Sequence, residues 1–289
     1  MSPTALHADV DAVLERIGIK AEPPSVDGLA RIHRAYVKVV PYETVWIHMD
    51  ERWSIDPADS LRRVARHRRG GYCFQLNGAL SVVLRELGYR VTRHVGGVHG
   101  GDGPDTESLT NHLVLVVHDL PADDNPEGRW YVDAGLGDGL YEPTPLLPGT
   151  YDQGPLQFRL DATHDGVGDW HLTHDPTGSF AGMSFREGDV GMDTFGRRHE
   201  FLSTSPESGF AGTVTAQLRR ADGTDILRGC VLSRRTGDDT TTETFDERDD
   251  WLTILADGFG IMPAGPPAVF DALWARVMTS HETWLGREH

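Results

Sequence analysis

Residues 69–88 read RGGYCFQLNGALSVVLRELG, and residues 89–98 continue as YRVTRHVGGV. In the first stretch apolar residues recur every three or four positions, which predicts an amphipathic helix from about residue 73 to residue 87. Gly88 stands where a helix commonly ends. From residue 89 the apolar period shortens to two, which indicates a β-strand. The chain is therefore expected to change here from helical to β-structure.

Helical patterns fill the residues before this point, and strand patterns follow it. The predicted helices of the first third are residues 7–17, a segment capped by Ser25 that ends before Pro41, a segment that begins at Asp56-Pro57, and the helix from Cys73. The predicted strands are residues 89–98, 111–118, 129–134, 155–162 and 168–173, followed by a hairpin of residues 212–220 and 226–235 and by helices near 249–256 and 267–285. This order predicts an α+β fold and not the βαβ alternation of a dinucleotide-binding domain.

Composition excludes several classes of function. The chain has 289 residues with a formal charge of −17, which argues against nucleic-acid binding and against attachment to anionic membranes. No apolar stretch reaches the roughly 20 residues of a membrane span, and the first residues lack the pattern of a signal peptide. We therefore expect a cytoplasmic protein. Its two cysteines are too few for a disulfide framework or a Cys-rich zinc site, and we expect no metal.

Cys73 is the candidate nucleophile, because it follows Gly70-Gly71 at the start of the predicted helix. The positive end of a helix dipole favours the reactive thiolate, and the glycines leave room for a substrate carbonyl near backbone N–H groups. The residues alone leave open a buried cysteine that merely opens a core helix. Cys230 has no such surroundings.

His112 and Asp133 are the candidate partners of Cys73. His112 begins the apolar run LVLVV, which is typical of a buried strand, and a rigidly held imidazole could serve as the base. Asp133 follows the strand Trp130–Val132 and could orient that imidazole. Taken singly, His112 is one of 14 histidines, and Asp133 could simply begin a turn.

Together these residues carry a family signature, since the sequence resembles the arylamine N-acetyltransferases. The matching segments are RGGYCFQLN at 69–77, NHLVLV at 111–116, VDAGLGDG at 132–139, PYET at 41–44, SPESGF at 205–210, and FGI at 259–261. The resemblance implies an N-terminal helical bundle, a central antiparallel β-barrel-like domain and a C-terminal α/β lid. We place these at residues 1–90, 91–200 and 201–289.

The resemblance also implies a reaction. An acyl group, typically acetyl from acetyl-CoA, would pass through an acyl-Cys73 intermediate to an aromatic amine, hydrazine or hydroxylamine, with His112 and Asp133 completing the triad. Acetyl-CoA would be a co-substrate, and no permanently bound cofactor is implied. By position, the acceptor pocket would be lined by Tyr42, Val98 and Phe210. Gly135 and Gly137 would let the pantetheine arm approach.

Four departures from the family pattern affect substrate recognition. Gln75 replaces a glutamate, Tyr42 replaces a phenylalanine, Leu136 replaces another phenylalanine, and Asn111 stands where many members have threonine. An amide synthase of the same family, which transfers a longer or polyketide chain to an aromatic amine, is therefore the alternative, with a carrier protein as its acyl donor. Hydrolysis by the same triad and a non-enzymatic binding protein are further alternatives that the resemblance disfavours. A homodimer stays open.

Overall fold

The computed structural model describes residues 3–164, 166–237 and 239–286. Its N-terminal elements are α1 (Pro3–Ile17), α2 (Val26–Val39), β1 (Tyr42–Glu43), α3 (Val45–His48), α4 (Pro57–His67) and α5 (Cys73–Glu86). Both predicted N-caps are confirmed: Ser25 accepts from the N–H of Gly28, and Asp56 accepts from that of Ala58. The apolar faces of α1, α2, α4 and α5 share one buried cluster, which explains why four amphipathic segments fold together.

An eight-stranded antiparallel sheet forms the barrel-like centre. Its strands are β2 (Arg90–His99), β3 (His112–His118), β4 (Trp130–Val132), β5 (Thr144–Pro145), β6 (Gly149–Gln153), β7 (Leu156–Ala162), β8 (Trp170–Thr173) and β9 (Gly182–Phe185). Their order across the sheet is β5-β4-β3-β2-β9-β8-β7-β6. On β3, Leu115 and Val117 join the helical core, whereas Val114 and Val116 join the core inside the sheet. Burial on both faces explains the unbroken apolar run of this strand.

The C-terminal part packs helices against a second antiparallel sheet. It contains α6 (Gly196–Thr204), α7 (Gly209–Gly212), β10 (Thr215–Arg220), β11 (Gly223–Arg228), β12 (Val231–Thr236), β13 (Asp239–Thr244), α8 (Arg248–Thr253) and α9 (Pro267–Leu285). The sheet order is β1-β10-β11-β12-β13, so the N-terminal segment supplies an edge strand. One sequence prediction was wrong here. Residues 226–235 are not one strand, because the chain turns at Gly229, where φ is +58°.

The predicted α+β fold class is confirmed. The division into residues 1–90, 91–200 and 201–289 stays a prediction, and its outermost residues 1–2 and 287–289 lie outside the described part. Within that part, no helix combines the length and apolar character that a membrane span requires.

Candidate active site

Cys73 lies at the first position of α5, where the sequence places it. Its side chain is buried with 4% exposure, and its Sγ lies 3.6 Å from the carbonyl oxygen of Asn111. Asn111 directly precedes His112, so the start of α5 meets the start of β3. The Cys73 side chain is close enough to the His112 imidazole for the two groups to interact electrostatically.

His112 and Asp133 form a fully buried pair. The Nε2–H of His112 donates to Oδ2 of Asp133 over 2.7 Å, and each residue is only 1% exposed. His112 opens β3, and Asp133 follows the neighbouring strand β4, so sheet pairing sets their approach. The structure thus brings the three predicted triad residues together in the order Cys73, His112, Asp133.

Asp133 accepts three hydrogen bonds besides that of His112. The Tyr131 hydroxyl donates to Oδ2 over 2.8 Å, while Oδ1 accepts from Asn77 Nδ2 over 2.8 Å and from the Gly135 N–H over 2.9 Å. Asn77 stands one turn after Cys73 on α5 and also donates to the Leu113 carbonyl. The buried carboxylate is therefore fully hydrogen-bonded, which offsets its desolvation.

The charges of this site shift the pKa values of His112 and Asp133 so that both side chains favour their ionised forms. Burial alone would lower the pKa of His112, but the charges of Asp133 and Cys73 and their hydrogen bonds raise it to about 10. Burial alone would raise the pKa of Asp133, but the His112 charge and the hydrogen bonds lower it. At neutral pH the imidazole thus holds its proton beside an ionised Asp133, the state that can stabilise a cysteine thiolate.

A buried ion pair fixes the loop before Cys73. Arg69 donates from Nε and Nη2 to the two carboxylate oxygens of Glu43 over 2.6 and 2.8 Å, and its guanidinium stacks on Trp53 at 4.8 Å. Gln75 takes over the capping contact at the start of α5, since its Oε1 accepts from the Tyr72 N–H over 3.2 Å. A carbonyl oxygen suffices for this bond, so the replacement of glutamate by Gln75 preserves the cap.

The three predicted acceptor-site residues lie on different elements: Tyr42 and Phe210 pack on the cluster that contains Cys73, whereas Val98 contacts Asn111. Tyr42 on β1 and Phe210 on α7 meet edge to face with ring centroids 6.4 Å apart, and Phe210 also packs on Tyr72 at 5.1 Å. Val98 on β2 donates its N–H to the Asn111 side chain, beside His112. Their role in binding an acceptor stays a prediction.

The two predicted cofactor-site glycines stand two residues apart in the segment that follows Asp133, and Gly135 lies against Cys73. A Cβ on Gly135 would stand 2.6 Å from the Cys73 Cα, so only glycine permits this approach. Gly137 has φ of +70°, and a Cβ there would stand 2.1 Å from Oε1 of Gln217. Their role toward pantetheine also stays a prediction.

Four residues in or beside this site were not predicted from the sequence: Glu43, Asn77, Tyr131 and Gln217. Glu43 and Asn77 stand inside the quoted segments PYET and RGGYCFQLN, so their position in a motif was the available signal. No sequence signal marks Gln217, because its position opposite Tyr42 depends on strand pairing. Tyr131 stands two positions before Asp133, and this spacing on one face of a strand was the available signal. Among the described residues, no group of three or more His, Cys, Asp and Glu side chains could hold a metal ion.

The chain is similar in sequence to a known family of proteins. The family model described as N-acetyltransferase matches residues 25–264. Arylamine N-acetyltransferase 1 of Homo sapiens is 28% identical over 251 residues, which cover 78% of this chain and 83% of that protein.

Solved structures agree over nearly the whole chain. The Nocardia farcinica arylamine N-acetyltransferase superposes with a TM-score of 0.79 at 28% identity, covering 92% of this chain and 93% of that one. The Mycobacterium marinum arylamine N-acetyltransferase in complex with CoA gives a TM-score of 0.80 at 27% identity, covering 93% and 98%. The chain therefore belongs to the arylamine N-acetyltransferase family and is an acyltransferase.

Proposed function

We propose that the chain transfers an acetyl group from acetyl-CoA to an aromatic amine, hydrazine or hydroxylamine through an acetyl-Cys73 intermediate. The observation that carries the proposal is the buried arrangement in which Cys73 adjoins His112 and His112 donates a hydrogen bond to Asp133. Family membership supports acetyl transfer, and the CoA complex of the Mycobacterium marinum relative supports CoA as the carrier.

In the first half-reaction the Cys73 thiolate attacks the thioester carbonyl. The carbon–sulfur bond to CoA breaks, and the leaving thiolate takes the proton held by His112. This leaves acetyl-Cys73 and a neutral imidazole. Asp133 keeps that imidazole oriented toward Cys73, which is the usual part of the third member of such a triad.

In the second half-reaction the acceptor nitrogen attacks acetyl-Cys73. Neutral His112 takes the proton from this nitrogen, the bond between the acetyl carbon and Sγ breaks, and the Cys73 thiolate is restored beside imidazolium. The sum is an acetylated acceptor and free CoA thiol. Tyr42, Val98 and Phe210 would line the acceptor pocket, and Gly135 and Gly137 would leave room for the pantetheine arm.

Intact mass spectrometry tests the first half-reaction. We expect acetyl-CoA to add one acetyl group to the protein and an aromatic amine to remove it. Cys73→Ser should abolish the adduct, whereas Cys230→Ser is the matched control and should keep it. Failure to form the adduct with acetyl-CoA in the unchanged chain would falsify the proposal. Faster loading from longer acyl thioesters would contradict its acetyl specificity and favour amide synthesis.

A further inference from the structure

Tyr42 and Gln217 are direct cross-strand neighbours on the face that looks toward the candidate active site. β1 and β10 pair antiparallel with Tyr42 opposite Gln217 and Glu43 opposite Ala216. Side chains alternate between the faces of a strand. Glu43 points to Arg69 and Ala216 to the C-terminal core, so Tyr42 and Gln217 share the other face. Directly opposed residues have Cβ atoms roughly 4.5–5.5 Å apart.

Both side chains have unused hydrogen-bonding capacity. Gln217 is 9% exposed, and its Oε1 is buried without a partner among the described residues. The Tyr42 hydroxyl likewise has no hydrogen-bond partner among the residues that the structure describes. Burial of a carboxamide oxygen without a partner is unfavourable, since most buried polar atoms of folded proteins are hydrogen-bonded.

The pair lies within reach of the candidate nucleophile. The carboxamide of Gln217 lies against Gly137, two residues from Gly135, which contacts the Cys73 backbone. Burial raises the pKa of Tyr42 well above its ordinary value, and the charges of Cys73 and Asp138 add to this rise. Tyr42 thus stays a neutral donor near Cys73, beside a neutral carboxamide.

We propose that Tyr42 and Gln217 form a polar subsite that selects aromatic acceptors carrying a neutral hydrogen-bond donor, such as a hydroxyl or carboxamide substituent. This inference rests on the proposed acetyl transfer. The buried Oε1 needs a donor, which a hydroxyl or carboxamide N–H supplies, while the Tyr42 hydroxyl can donate back to the same substituent. Burial disfavours a charged substituent, and the negative charges nearby disfavour an anionic one in particular. A site built to hydrogen-bond a substituent rejects the analogue that lacks it.

The test measures transfer from preformed acetyl-Cys73 to paired acceptors. Each aminophenol isomer is compared with the matching methoxyaniline, which keeps the oxygen but lacks the donor. The discrimination, defined as the ratio of the two transfer rates, is then compared between variants, so the intrinsic reactivity of each amine cancels. We expect Gln217→Met, which is similar in length but apolar, to lower this ratio about tenfold for at least one isomer pair, as the loss of one hydrogen bond would.

Two further variants keep the test independent of folding damage. Tyr42→Phe removes only the hydroxyl and should lower the same ratio for the same isomer. Gln157→Met makes the matched change at an exposed position of β7 and should leave the ratio unchanged. Thermal unfolding of each variant reports its folding.

The remaining outcomes separate this inference from the proposed function. An unchanged ratio in folded Gln217→Met overturns the inference while acetyl transfer stands. Slower loading of Gln217→Met from acetyl-CoA but not from 4-nitrophenyl acetate also overturns it, because the carboxamide would then contact the pantetheine amides. Absence of acetyl-Cys73 in the unchanged chain overturns both.

Discussion

The Tyr131 hydroxyl donates to the same Asp133 oxygen, Oδ2, that accepts from His112, over 2.8 Å and 2.7 Å respectively. Tyr131 projects from β4 into the core of the barrel-like sheet, where it is fully buried. Burial raises its pKa well above the ordinary value, and the Asp133 charge adds to this rise, so the phenol keeps its proton and stays a donor. Tyr131 is therefore a positioning residue for the candidate triad.

Tyr131→Phe should lower the free energy of unfolding by about 1.5–3 kcal/mol, because it removes a hydrogen bond to a buried charge. The pKa of Asp133 lies below its ordinary 3.8, so its stabilising contacts are present above that pH and are lost as the pH falls through the lowered value. The difference in unfolding free energy between variant and wild type should therefore become smaller at acidic pH. Urea unfolding at several pH values measures this difference. Tyr151→Phe is the control, since its hydroxyl contacts only carbonyl oxygens. A larger loss there would contradict the assignment.

The protonated imidazole of His112 should increase the free energy of unfolding, and this contribution should decrease as the pH rises. Its pKa is raised from 6.5 to about 10, so the contribution of the imidazolium is complete below pH 6.5 and is lost as the pH rises toward 10. The difference in unfolding free energy between wild type and His112→Gln should therefore shrink between pH 6.5 and pH 10.

His33 supplies the control of opposite sign. It is also buried, but burial lowers its pKa, so the stability that its neutral form allows is lost as the pH falls below 6.5. The difference between wild type and His33→Gln should grow, not shrink, as the pH rises from 5 toward 7. Parallel pH dependence in the two variants would contradict the charged state assigned to His112.

The two cysteines should differ in alkylation under native conditions. Cys73 retains 4% exposure beside protonated His112, whereas Cys230 is fully buried and burial raises its pKa. Iodoacetamide at pH 7 should label Cys73 well before Cys230, and His112→Gln should slow labelling of Cys73 by about tenfold or more. Peptide mapping measures both sites, and equal labelling after denaturation is the control. Preferential labelling of native Cys230 would refute the pairing of Cys73 with His112.

Elements with strong local patterns were predictable from sequence, and contacts across distant strands were not. α5 shows a clear period, a cap position and Gly88, and the structure begins and ends it close to the predicted bounds. β1 has only two residues and pairs with β10, more than 170 positions away, so no local period marks it. The placement of Cys73, His112 and Asp133 was predictable because each stands at the end of a regular element, while their catalytic roles stay a prediction. The placement of Gln217 beside Tyr42 was not predictable, because it depends on that long-range pairing.

Replacement of Gly137 by alanine should destabilise the protein more than the same replacement at a glycine that has similar backbone geometry but is surrounded by free space. Gly137 and Gly103 both have positive φ, +70° and +86° respectively. A Cβ at position 137 would collide with the Gln217 side chain, whereas a Cβ at position 103 would have no atom within 4 Å. Gly103→Ala should therefore cost about 1–2 kcal/mol of backbone strain, and Gly137→Ala should cost more. Thermal unfolding of the two variants measures this difference, and equal losses would show that the Gln217 side chain moves aside freely.

Arg69→Lys should destabilise the protein although it preserves charge. The buried guanidinium holds both oxygens of Glu43 and stacks on Trp53, whereas a lysine ammonium can do neither in the same geometry. We expect a loss of about 2–4 kcal/mol in urea unfolding, since Glu43 would keep a buried charge with poor pairing. Arg90→Lys is the matched control, because Arg90 also holds both oxygens of a carboxylate, that of Asp119, but in solvent. A change there should stay within about 0.5 kcal/mol.

Because Arg69 fixes the loop that enters α5, the Arg69→Lys variant should also load acetyl onto Cys73 more slowly. Normal loading by a destabilised variant would show that the ion pair contributes to stability alone.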